Sequence, residues 1–266
     1  MKTHRPMPRL AFGQGRAFEG SRELPEEVAV AISYNGSTQA VMMATPADLT
    51  DFALGFSLTE GIATPDEVET VEVVETPLGL DLQIWLRAEA EARQTARRRS
   101  MAGPVGCGLC GIDSLEQALR HPRAIPEQAF AMTPRQIMAA TAALTQHQPL
   151  HDTTRAAHAA AFWQDGRIIA AREDVGRHNA LDKLIGAVRD GRGGALLMTC
   201  RISIDLVQKA AAAGFPVMIG ASAPTAAAVD MADAAGITLI GLARDDRFEV
   251  FTHPRRIAPE ESAHVA

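Results

Sequence analysis

A chain of 266 residues with 47% hydrophobic content can bury a full core as one large domain or two modest ones, which excludes extensive disorder. With 32 acidic against 26 basic residues and a net charge of -6, it has no global attraction for nucleic acid, so proteins or small molecules are the expected partners. No stretch approaches the roughly 20 apolar residues of a membrane span, and Met1-Lys2-Thr3-His4-Arg5-Pro6 lacks the apolar centre of a signal peptide; a cytoplasmic location away from membranes is expected.

Residues 1–24 are basic, contain Pro and Gly, and show no apolar periodicity, so they read as a loose N-terminal arm. A strand is predicted at Val28 to Tyr34, a tight turn at Asn35-Gly36, and a second strand through Ala40 to Met43. Thr45-Pro46-Ala47-Asp48 reads as a helix start with Thr45 as cap, followed by the apolar stripe Leu49, Phe52, Ala53 and Phe56, and Gly61 as a stop. Two alternating runs from Val68 to Leu86, separated by Thr76-Pro77-Leu78-Gly79, predict another hairpin. Ala88 to Ser100 is mixed in charge without an apolar stripe and reads as a surface connector into a cysteine loop. Beyond that loop, Asp113 to Arg120 is predicted as a short helix, Pro122 and Pro126 mark a linker, and Thr133-Pro134-Arg135-Gln136 is a capping-box start for a helix toward Gln146.

In the last half, strands near His158 to Trp163 and Ile168 to Ala171 flank a turn at Asp165-Gly166, and a helix is predicted from about Asn179 to Arg189. Three buried-strand runs follow, Ala195 to Thr199, Phe215 to Ile219 and Ile237 to Leu242. Helices capped by Ser203 and Ser222, and ended by Gly214 and Gly236, separate them. Strand, helix, strand, helix, strand with short loops predicts a parallel α/β layer. The expected organisation is an α+β region over 25–130 that includes the cysteine loop, then an α/β domain over 131–266.

Three cysteines in so long a chain cannot build a disulfide framework, so the close pair Cys107 and Cys110 draws the chemical reading. In Gly106-Cys107-Gly108-Leu109-Cys110-Gly111 the glycines leave the sulfurs unshielded, and the thiol pair and a following helix start favour thiolates. A thiolate accepts a sulfane sulfur, and the neighbouring thiol can attack the resulting persulfide, expel the outer sulfur and leave a disulfide. A structural zinc site needs a second ligand pair; Cys200 is solitary, and His147 and His151 lie far past the gap of about 12 to 15 residues usual in a zinc finger, so no metal is expected. Simple disulfide exchange remains a competing reading. Pro104 to Cys110 looks like half of a deaminase zinc signature, but H-x-E occurs nowhere in the chain.

Two groups of polar residues are candidate anion sites. Arg172 to Lys183 packs eight polar or charged residues around a predicted helix start, where Arg177, His178 and Asn179 project from an N-terminus suited to phosphate; a solvated helix start is the equal alternative, and His178 is also a candidate proton carrier. The turns holding Cys200, Arg201 and Ser203, and Ser222 to Thr225, lie between strand ends and helix starts. They are expected to share one sheet edge with Leu242, Ala243, Arg244, Asp245, Asp246 and Arg247, whose arginines would face pyrophosphate. Cys200 reads as a small buried filler.

Asn35-Gly36, Thr45-Pro46 with Asp48, Gly55-Phe56, Glu60-Gly61-Ile62, the cysteine loop, Glu173 through Lys183 and Lys209-Ala210-Ala211 together resemble the FdhD family of formate dehydrogenase accessory sulfurtransferases, from about residue 25 onward. The resemblance implies a homodimer with a cytidine-deaminase-like three-layer α/β/α C-terminal domain, lacking deaminase zinc chemistry, and a smaller hairpin-containing α+β N-terminal domain. It further implies a sulfurtransferase that takes sulfur from a cysteine desulfurase and binds the molybdenum bis(guanine dinucleotide) cofactor. That cofactor is sulfurated before insertion into formate dehydrogenase, with Cys107 as persulfide carrier, Cys110 as its partner and Leu242 to Arg247 as the cofactor-binding segment. Two positions depart from the family pattern: Cys200 and Arg155 stand where glycine is expected. A non-enzymatic cofactor chaperone and a thiol-disulfide oxidoreductase are the alternatives.

Overall fold

The computed structural model describes residues 1–100, 124–127, 129–244 and 246–259. The cysteine loop and the helix expected at Asp113 to Arg120 lie outside them. The first surprise is at the amino terminus, where β1 (His4–Gly13) and β2 (Arg16–Pro25) pair over their full length as an antiparallel hairpin. The reading of residues 1–24 as a loose arm is thereby corrected. Pro6 and Pro8 and the missing alternation hid the strands, since proline is tolerated where its absent N–H is not needed for pairing. The turn residues Gln14 and Gly15 both take positive φ, as a two-residue hairpin with right-handed strand twist requires.

A four-stranded sheet follows, ordered β4-β3-β6-β5 from β3 (Val28–Tyr34), β4 (Ser37–Ala44), β5 (Val68–Thr76) and β6 (Gly79–Leu86). One face presents Val30, Ile32, Leu82 and Ile84 to Phe52, Ala53 and Phe56 of α1 (Leu49–Thr59), all buried. The helix starts later than predicted. Thr45 is not its cap, because its hydroxyl accepts from Val175 N and its carbonyl from Lys183 Nζ; Asp48 takes the cap position at φ 52° without a side-chain cap bond. Ala88 to Ser100, expected as a connector, is the helix α2 (Ala88–Ser100). Among its described side chains Ala90 and Gln94, one turn apart, are buried, too few to register as an apolar stripe.

The larger sheet has six strands in the order β12-β11-β10-β9-β7-β8. Its centre is the predicted parallel trio β9 (Ala195–Met198), β10 (Val217–Gly220) and β11 (Thr238–Arg244). On one side β7 (His158–Gln164) runs antiparallel to both β9 and β8 (Arg167–Asp174), and on the other β12 (Arg247–Val250) runs antiparallel to β11. The layer is therefore mixed rather than purely parallel. One sheet face packs on α5 (Arg177–Val188), α6 (Ile204–Ala212) and α7 (Ala226–Ala235). The other packs on α3 (Pro134–Leu144), whose capping box from Thr133 and Gln136 forms as predicted. A short helix, α4 (Pro149–Thr154), ends on Arg155 at φ 60°, an angle glycine adopts without steric cost; this is one of the two positions where the resemblance expects glycine. No helix among the described residues is long and apolar enough to cross a membrane.

The two sheets are joined by α1 crossing α5 at backbone contact. A Cβ added to Gly55 would lie 1.7 Å from the carbonyl oxygen of Asp182, and one added to Gly186 would lie 1.8 Å from that of Asp51. Beside this crossing, Lys209 Nζ donates to Asp182, Glu60 and Thr59, all within 2.9–3.0 Å. Burial disfavours the Lys209 ammonium, but Asp182 and Glu60 more than offset this and hold its pKa above the ordinary lysine value.

Candidate functional site

The polar run 172–183 divides its side chains between two tasks. Most of them hold the fold together. Asp174 is fully buried and accepts from Lys183 Nζ at 2.6 Å, Thr45 N at 3.0 Å, Gly176 N at 2.7 Å and Asn179 Nδ2 at 3.0 Å. Lys183, equally buried, also donates to the Thr45 carbonyl at 2.8 Å, and Asn179 donates to that of Met43 at 2.8 Å. Asn179 is thus engaged within the turn that ties β4 to α5. Arg172 pairs with Asp51 at 2.7 Å, and the Glu173 carboxylate accepts from Leu150 N and His151 N at 2.8 Å, capping α4. Burial pushes the Glu173 carboxyl up, although those two backbone donors oppose the shift.

Arg177 and His178 are the members of the run left facing elsewhere, at the first turn of α5. His178 Nε2 lies against Asp205 Oδ2, in the first turn of α6, with both side chains mostly buried. Burial favours the neutral acid, but the hydrogen bond and charge of His178 more than offset it and hold the Asp205 carboxyl well below the usual carboxylate range. Arg177 Nε is buried beside them without a hydrogen-bond partner among the described residues, and the Ser203 hydroxyl lies against the Asp205 carboxylate. Neither α5 nor α6 has a side-chain N-cap bond, so two helix N-termini open toward this spot.

The predicted meeting of strand-end loops is also present. Ala221 N donates to the Met198 carbonyl at 3.0 Å, Thr225 N to that of Ile202 at 3.0 Å, and Leu242 N to that of Ser222 at 3.3 Å, stitching the loops after β9, β10 and β11 into one edge. Ile202 pairs with Pro224 as a parallel bridge, which keeps 222–224 extended. Ser222 is therefore not the cap of α7; Thr225 is, accepting from Ala228 N at 3.2 Å. Leu242 to Arg247 is a bulged hairpin between β11 and β12 in which Ala243 faces the core and Arg244 sits opposite Arg247. Arg201, Arg244, Asp246 and Arg247 are exposed, and the three arginines form no ion pair among the described residues; Asp245 lies outside those residues. Unpaired guanidinium groups and uncapped helix starts along one edge suit a polyanionic ligand.

Cys107 and Cys110 lie outside the described residues. Cys200 is buried and free, and burial pushes its thiol up to about 11, with Arg177 opposing, which makes it an unreactive filler at neutral pH. His158, at the start of β7, is held below the ordinary histidine value by burial and then by Arg177. Sequence reasoning placed Ser203 in a sheet-edge turn but missed Asp205 and His158 as members of this cluster, since nothing in their spacing links them to Arg177. Replacing Asp205 by Ala should cost about 1.5–3 kcal/mol near pH 7, the range for a hydrogen bond to a charged group. Because the folded carboxyl titrates below its unfolded value, this contribution is complete above about pH 4 and fades as pH falls further. Urea unfolding at pH 7 and pH 3 measures both the loss and its decline.

Comparison with known proteins agrees with this architecture. The family model described as FdhD/NarQ matches residues 25–258. The sulfur carrier protein FdhD of Agrobacterium fabrum is 51% identical over 262 residues, covering 96% of this chain and 96% of the relative. That of Cupriavidus necator is 46% identical over 266 residues, covering 98% and 92%. A crystal structure of a Desulfotalea psychrophila protein, assigned as a formate dehydrogenase accessory protein, superposes with a TM-score of 0.78 over 97% of this chain and 100% of that one; at 23% identity it speaks for the fold alone. The matching span and the identity across nearly the whole length together establish that this chain belongs to the FdhD/NarQ family.

Proposed function

We propose that this protein is a sulfur carrier serving formate dehydrogenase: Cys107 holds sulfur as a persulfide, and the molybdenum bis(guanine dinucleotide) cofactor receives it at the carboxyl edge of the six-stranded sheet. The observation that carries this reading is the 51% identity over almost the full chain to sulfur carrier proteins. The glycine-framed cysteine pair supplies the chemistry, and the edge bearing Arg177, Arg201, Ser222, Arg244 and Arg247 supplies cationic and donor groups for the cofactor's phosphates.

The Cys107 thiolate attacks the outer sulfur of a cysteine desulfurase persulfide: a new sulfur–sulfur bond forms on Cys107, the desulfurase's own sulfur–sulfur bond breaks, and its cysteine leaves as the thiolate. The Cys110 thiolate then attacks the inner sulfur, the new bond breaks, and the outer atom leaves with the electron pair as sulfide for the metal centre. A Cys107–Cys110 disulfide remains, and a thiol reductant returns it to the starting state. His178, held by Asp205, is placed to carry a proton beside the bound phosphates.

Mass spectrometry of loop peptides after incubation with a desulfurase and cysteine tests the reading. One added sulfur atom on Cys107 is expected, and Cys107→Ala should remove it and lower formate dehydrogenase activation by more than about 100-fold, as loss of a covalent carrier does. Full activation by Cys107→Ala would instead mean cofactor delivery without sulfur transfer, and the absence of any adduct on either loop cysteine would reject the proposal.

A further inference from the structure

Two cross-links join α5 to α6, one helical turn apart. In the first, His178 Nε2 lies against Asp205 Oδ2, each the second residue of its helix, with side chains 22% and 18% exposed. Four residues further along both helices, Asp182 and Lys209 pair at 2.9 Å with the charges the other way round. The inner link is closed, because Lys209 also donates to Glu60 and Thr59 of α1 and its end. The outer link lies at the sheet edge, where both helices start. Among the described residues His178 has no ion-pair partner besides Asp205, and its Nδ1 forms no hydrogen bond.

Apart from Asp205, the groups around this ring are basic or neutral. Arg177 precedes it on α5 with Nε buried and unpartnered, His158 approaches from β7, and Arg201 stands exposed on the loop leading into α6. Cys200, near Arg177 and Arg201, adds a neutral thiol. The positive ends of two helix dipoles converge on the same spot. The Ser203 hydroxyl lies against the Asp205 carboxylate, which fixes its place. An imidazole that gives its Nε2 proton to Asp205 can donate from Nδ1 to an anion only when it carries its second proton.

We infer that Asp205 is a positioning residue for the cofactor's pyrophosphate: it fixes the His178 ring between the two helix starts, the doubly protonated ring grips a phosphate beside Arg177, and binding takes up a proton. The inference rests on the placement of the phosphates at this edge proposed above. A carboxylate and a phosphate on either side of one imidazolium both favour its proton, whereas Arg177, Arg201 and the helix ends oppose it. The arriving ligand therefore tips a balance that Asp205 holds from the other side, and protonation and binding strengthen one another. The proton is taken up from solvent and is returned to it when the cofactor leaves.

Titration calorimetry of the full chain with diguanosine diphosphate, two guanosines joined through a pyrophosphate, tests this. Both phosphates of that probe are diesters and do not titrate near neutral pH, and repeating the titration in buffers of different ionisation heat counts the protons taken up. Proton uptake is expected, with an affinity that falls by about tenfold between about pH 6 and about pH 8.5. His178→Gln should bind about tenfold more weakly at the acid end and show a flat profile. Asp205→Asn keeps a contact to the ring without the charge and should move the decline to lower pH, whereas Asp205→Glu should keep it in place. A purely structural Asp205 would instead change affinity alike at every pH. No proton uptake in the unaltered protein, or an Asp205→Asn profile that matches it, would overturn the inference and leave the persulfide reading standing. Failure of the dinucleotide to bind at any pH would overturn both the inference and the placement of the cofactor at this edge, while the mass of the Cys107 peptide judges the sulfur chemistry separately.

Discussion

Lys183→Met should lower the stability of the protein by about 3–5 kcal/mol, the cost of removing one partner from a buried ion pair. Both Lys183 and Asp174 have no solvent exposure, so the lost ammonium cannot be replaced by water. Methionine fills a similar volume, which confines the change to charge and hydrogen bonding. Asp174 keeps its donors from Thr45 N, Gly176 N and Asn179, while the Thr45 carbonyl loses its Lys183 bond. Combining Lys183→Met with Asp174→Asn should recover part of the loss, because the uncompensated charge is then removed from both sides. Guanidinium unfolding of the two single variants and the double gives the coupling directly. A loss below about 1 kcal/mol for Lys183→Met would mean that the pair is hydrated and loosely held.

Gly186→Ala separates two opposite outcomes. In a helix interior open to solvent, alanine is better than glycine by about 1 kcal/mol, so an uncrowded site would gain stability. Here the new methyl would meet the Asp51 carbonyl oxygen at 1.8 Å, backbone that cannot swing aside. The helices must separate, which costs about 3 kcal/mol or more and strains the neighbouring Lys209 to Asp182 bonds. Gly55→Ala should behave in the same way from the other helix. The two losses should not add, since either methyl alone forces the same separation. Thermal unfolding of both single variants and the double settles the sign and the coupling.

The local elements were largely legible because their signals are local. Asn35-Gly36 and Asp165-Gly166 announced hairpins through residues that tolerate positive φ, and both form. The trio β9, β10 and β11 was visible as short apolar runs bounded by helix starts and stops. Helix onset was less legible. Thr45 and Ser222 have good capping chemistry, yet a helix in the first case and a strand-like bridge in the second claim the surrounding backbone. The β1–β2 hairpin escaped because its pairing partner supplies order that neither strand's pattern encodes.

The primary structure by itself determined the family and suggested the proposed chemistry: the match over residues 25–258, the 172–183 run and a cysteine pair framed by glycines depend on residue types at short spacing. Only the tertiary structure decided which polar side chains hold the fold and which face the edge. Asp174, Asn179, Asp182 and Lys183 are closed into buried bonds with α1, β4 and α6, whereas Arg177 and His178, a few positions away, look toward Asp205 and the strand ends. A hydrogen-bonding group carries the same chemistry in either role, and what separates the roles is whether a partner from a distant segment arrives within about 3 Å, which packing alone determines.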